Sequence, residues 1–106
     1  MQALFTWQFK RGKKGAKSIQ TIISKTLEID KLIEQSAPDR PIEQINRIDL
    51  SILRLAIFEL IMEKDIPPKV VVDEAVELGK EFGSQSSASF VNGVLGKVIE
   101  IKKIHT

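Results

Sequence analysis

Residues 66–95 read IPPKVVVDEAVELGKEFGSQSSASFVNGVL, and this stretch decides the fold. Pro67-Pro68 opens a helix, because a proline in the first turn gives up only an N–H that has no helical partner anyway. Val71, Ala75, Leu78 and Phe82 then recur on one face, with Asp73, Glu74, Glu77, Lys80 and Glu81 on the other. Gly83 stops the helix as its expected C′ residue. A serine-rich restart after Ser86 or Ser87 begins another helix, which runs to about Lys103. Val91, Val94, Leu95, Val98 and Ile101 are its expected core face, and Gly93 and Gly96 leave a shallow face near its start. Two helices in thirty residues with no catalytic set imply a binding module.

Working outward, the segment Ile48 to Met62 is apolar over about two thirds of its circumference at ~100° per residue. Such a helix is packed on several sides. Asp49 is its expected N-cap, and a short helical turn from Ile42 to Asn46 precedes it. Upstream, a helix from about Lys17 to Gln35 carries Ile19, Ile22, Ile23, Ile29 and Ile33 on one face. Pro38 and Pro41 end it, with Pro41 suited to a following first turn. A first helix covers Met1 to about Lys10 and is broken by Gly12 and Gly15. The expected architecture is all-α, a compact bundle of about five helices in one domain over residues 1–106. Residues 1–16 form the first helix and a basic linker, and 17–106 the core bundle.

Composition narrows the function. The chain has 106 residues, 42% hydrophobic and 28% charged, as expected of one globular domain. Without cysteine, it has no thiolate zinc site and no thiol nucleophile. Its single histidine, His105, sits where a frayed, solvated side chain is the default. No P-loop, metal-spaced set or Ser/His pairing is present, so neither an enzyme nor a cofactor is expected. No apolar run is long enough to span a bilayer and no signal peptide is visible, so a cytoplasmic protein with no membrane contact is expected.

Net charge is +2, but the basicity is local. Lys10, Arg11, Lys13, Lys14 and Lys17 take five of the 16 cations, leaving 11 against 14 acids elsewhere. A segment of this kind fits a polyanion contact or a solvated, lysine-rich loop.

Four places break the core pattern. Phe5 and Phe9, at i and i+4, form a second apolar face beside Ala3, Leu4 and Trp7. They serve a protein partner or the core. Phe58 shares the polar stripe of Arg47, Ser51 and Arg54, as an exposed interface aromatic or a ring folded onto a neighbour. Glu59 projects into the apolar arc between Ile48 and Ile52. It needs an internal donor or a partner's cation. Phe90 lies two turns before Lys97 on nearly the same line. An aromatic beside a cation suits an unstacked base, and an edge-of-core ring with a snorkelling lysine fits as well.

Three segments, IDLSILRLAIFEL (48–60), IPPKVVVDEAVELGKEFG (66–83) and SFVNGVL (89–95), together resemble the NusB family of bacterial transcription antitermination factors, in that family's order. The resemblance implies an all-helical RNA- and protein-binding factor. It would bind boxA-like single-stranded RNA together with the NusE-type small-subunit ribosomal protein, and act indirectly on the RNA polymerase elongation complex of ribosomal RNA operons. It places Phe5, Phe9 and Glu59 at the NusE partner, with Arg54 and Phe58 at the edge of that surface. Ser86, Ser89 and Phe90 fall in the region near RNA, with Lys97 beside them. The family's arginine-rich start and one further helix have no counterpart here, so the chain reads as shortened or N-terminally incomplete. A missing helix would expose apolar surface and favour a homodimer. The alternatives are a NusB-fold interaction or self-assembly module without RNA binding, and the NusB-like domain of some ribosomal RNA cytosine methyltransferases. The end at Thr106, with no catalytic domain following, argues against the latter.

Overall fold

A computed structural model describes residues 18–105, with side chains described from residue 25. Among the described residues there are four α-helices and no strand: α1 (Ser18–Ser36), α2 (Arg47–Met62), α3 (Pro68–Phe82) and α4 (Ser87–Ile101), with a 3-10 turn at Ile42–Gln44 before α2. The expected all-α class is met. The helix expected over Met1 to Lys10 lies outside the described residues.

Helix α2 is the centre of the bundle and packs against α1, α3 and α4. Its buried residues Ile52, Leu53, Leu55, Ala56, Ile57 and Leu60 occupy most of its circumference, as the breadth of its apolar arc requires. Ile29, Leu32 and Ile33 of α1, Val71 and Ala75 of α3, and Val91, Val94, Leu95 and Val98 of α4 close around them. One core expectation is corrected. Ile101, expected on the core face of α4, is 38% exposed. Of the two readings open for Phe58, the ring is the one folded onto its neighbours, half-buried and packed against the core.

The start of α2 also differs from expectation. Asn46, not Asp49, is the N-cap: its side-chain oxygen accepts from the Asp49 N–H at 2.9 Å. Asp49 falls in the first turn and is buried. Unpaired helix N–H groups and the positive end of the dipole favour a carboxylate there, yet its Oδ1 lacks a hydrogen-bond partner among the described residues. Pro41 lies just ahead of the 3-10 turn rather than in it.

Helix α3 begins with proline as expected. Gly83 follows it, but with φ −96° and ψ −167°, an extended conformation and not the left-handed one expected of a C′ glycine. At the end of α4, Lys103 takes the left-handed position (φ 52°). The Ile104 N–H donates to the Ile99 carbonyl at 3.0 Å, the six-to-one closure that ends many helices.

Polar contacts tie α1 across the bundle. Arg54 of α2 donates through Nε and a terminal nitrogen to the two oxygens of Asp30, each at 2.9 Å. Glu28 receives Lys25 at 3.1 Å and Lys102, beyond α4, at 3.3 Å. The Lys25 hydrogen bond above all, then Lys102, holds the Glu28 carboxyl below its ordinary 4.5, against the opposing effect of burial. A carboxylate depressed by folding stabilises above its unfolded value, and the contribution is lost as pH falls through the folded one. Glu28→Gln should therefore lower the melting temperature slightly at neutral pH, and the difference should vanish in acid below the carboxylate range. The effect is small because both partners are well hydrated.

Candidate nucleic-acid interface

The serine-rich segment between α3 and α4 sets where the site lies. The buried Ser87 hydroxyl accepts from the Ser84 N–H at 2.8 Å, which fixes the first turn of α4. Gly79 lets that turn approach closely: a Cβ on Gly79 would lie 3.3 Å from the Ala88 backbone nitrogen. Ser86 is exposed, its hydroxyl 3.4 Å from that of Ser84. One turn on, Ser89 and Phe90 face the loop that follows α1.

Between that loop and α4 runs an open groove of about 440 Å³. One wall is Ser36 to Arg40; the other is Ser89, Phe90, Gly93 and Val94. Phe90 is half-buried against the core, and the Arg40 guanidinium carbon stands 4.4 Å from its ring centre. A Cβ on Gly93 would meet nothing within 4 Å, so the missing side chain leaves room beside the ring. Lys97 is exposed farther along α4 and only 3.8 Å from Glu100, a loose surface pair. An aromatic face, a guanidinium and hydroxyls at an open groove are what an unstacked base with its phosphate requires.

The structure thus gathers Ser89 and Phe90 at one groove, with Ser86 and Lys97 toward either side on α4. Lys10, Arg11, Lys13, Lys14 and Lys17 lie outside the described residues, as do Phe5 and Phe9. Arg54, Phe58 and Glu59 share α2. Arg54 is occupied by Asp30, and neither Phe58 nor Glu59 is without a partner. Sequence reasoning missed Arg40. Its only local signal is a charged residue between Pro38 and Pro41, in a loop that cannot turn helical, and its ring partner is fifty positions away. Among the described residues no group of acidic or histidine side chains could hold a metal ion, and no helix is long and apolar enough to cross a membrane.

The NusB family model matches residues 12–100. The transcription antitermination protein NusB of Dehalococcoides mccartyi is 56% identical over 70 residues, covering 66% of this chain and 49% of that protein. The protein of the same name from Myxococcus xanthus is 52% identical over 71 residues, 67% of this chain and 51% of that one. The chain spans about half the length of the curated relatives it matches. Among solved structures, NusB of T. maritima superposes with a TM-score of 0.75 at 30% identity, covering 93% of this chain and 84% of that one.

Proposed function

The chain belongs to the NusB family, and from that membership we propose that it is a non-catalytic factor in transcription antitermination, binding single-stranded RNA of the boxA kind together with a NusE-type ribosomal protein. The observation that carries the RNA half of this reading is the groove where Arg40 and Phe90 meet beside Ser89 and Gly93. It offers one stacking face and one cation at the segment SFVNGVL, on which the family resemblance also rests. The relatives' shared description, transcription antitermination protein, supplies the process.

RNA also meets the basic segment in this reading, with Lys10, Arg11, Lys13, Lys14 and Lys17 supplying phosphate contacts and the groove supplying base contacts. The partner protein docks on Phe5, Phe9 and Glu59, with Phe58 and Arg54 at the edge of that surface. Arg54 serves there by fixing α2 against Asp30, while the aromatic rings supply the desolvated centre that interfaces need.

The test is a salt series of RNA binding with and without the ribosomal protein. If about four of the five cations meet phosphates, the log–log slope should be near −3, at ~0.7 per contact on a single strand. Replacing all five with neutral residues should flatten it. An unchanged slope removes the basic segment from the RNA site. Absence of RNA binding in both arms returns the chain to a protein-interaction role.

A further inference from the structure

Two arginines of this chain carry the same charge and meet opposite fates. Arg54 gives two of its nitrogens to Asp30, and its charge is cancelled. Arg40 is exposed, and among the described residues it forms no ion pair; its guanidinium lies over the Phe90 ring. Stacking on a ring occupies the flat face of a guanidinium and leaves its edge of N–H donors pointing outward. A side chain so placed is held in one position without having its charge or its donors satisfied, which is the condition of an anion-binding arginine awaiting a ligand.

Arg40 and the half-buried Phe90 ring both line the open groove, and the guanidinium lies over the ring. We infer that Arg40 is a phosphate-reading residue parked on the surface that a base will use. A base entering the groove takes the Phe90 face, and the guanidinium moves off it to the adjoining phosphate. A cation–π contact at an exposed site is weak, whereas a guanidinium–phosphate pair is bidentate and charge-assisted, so the exchange runs toward the bound state. Gly93 leaves the space the base needs, and about 440 Å³ falls within the ~300–1,000 Å³ of ordinary ligand sites. Asp39 shares the rim, and its carboxylate opposes a bare anion, so the ligand is a nucleotide with its base and not free phosphate. The inference rests on the RNA reading above and adds to it the residue that couples base and backbone recognition.

The experiment is anisotropy of an end-labelled, short, single-stranded oligoribonucleotide of mixed sequence, titrated with the full chain over a salt series. Arg40→Ala should weaken binding roughly tenfold and make the log–log slope shallower by about 0.7, one phosphate contact. Arg40→Lys, which keeps the charge but not the planar fork, should keep the slope while losing affinity. Gly93→Leu, which adds bulk to the groove wall and leaves the Arg40 side chain in place, should also weaken binding, with circular dichroism unchanged. Wild-type affinity and slope in Arg40→Ala would overturn the inference and leave Arg40 as a staple between loop and helix, whatever its melting temperature. A wild-type chain that binds the oligonucleotide neither alone nor with the ribosomal protein added would overturn the RNA reading itself, and this inference with it.

Discussion

Gly83→Ala is expected to cost about 2–5 kcal/mol of stability, from overpacking plus an orphaned donor. A Cβ at Gly83 would overlap the Ser87 hydroxyl, lie 2.5 Å from the Ser87 Cβ and come within 2.8 Å of the Gly79 carbonyl. None of these can give way cheaply. Ser87 is fully buried, its hydroxyl holds the Ser84 N–H, and the Gly79 carbonyl already accepts the Gly83 N–H at 3.0 Å. Relief requires moving the first turn of α4, and with it Ser86, Ser89 and Phe90. Chemical denaturation should show the loss, and RNA affinity should fall even where the variant remains folded. Gly96→Ala is the control, because a Cβ there meets nothing within 4 Å. It should stabilise by about 0.5–1 kcal/mol through helix propensity alone. A Gly83→Ala variant as stable as wild type would mean that the α3–α4 turn is soft, and that it does not position the groove.

The same glycine marks how far the sequence could be read. Gly83 was legible as a helix stop because periodicity ended there. Its reason was not legible: the backbone is extended, and glycine is required by a serine hydroxyl four residues on. Local signals placed α1, α3 and α4 within a residue or two, since prolines and the serine cluster punctuate them. The start of α2 was misassigned because Asn46 and Asp49 both suit an N-cap, and only the backbone decides which side chain reaches which N–H. Helical spacing put Ile101 on the core face, but spacing carries no information on which positions of that face the neighbouring helices cover. For the groove, Ser89 and Phe90 could be named from α4 alone. Arg40 could not, because its role depends on a loop returning to a helix fifty residues later. Phe58 and Glu59 lie between these cases. Their deviation from the pattern is visible, while what engages each is set by tertiary packing.

Phe90 carries the largest functional effect expected of a single side chain. In Phe90→Ala, RNA affinity should fall by roughly 1–3 kcal/mol, the worth of one stacked base. Stability should fall as well, because the ring packs against the core while supporting Arg40. That loss should be below the ~3–5 kcal/mol of a fully buried phenylalanine, since this ring is only half-buried. Alanine alone therefore confounds two roles. Phe90→Leu separates them: leucine retains apolar contact with the core but offers neither a π face to a base nor a cation–π partner to Arg40. Its melting temperature should stay near wild type, and its RNA affinity should drop almost as far as that of the alanine variant. Phe90→Trp, with a larger face, should restore or exceed wild-type binding wherever Gly93 leaves it room. Thermal melts set beside anisotropy titrations of the three variants decide the matter. If leucine binds RNA as wild type does, no base stacks on this ring, and the groove recognises RNA through charge alone.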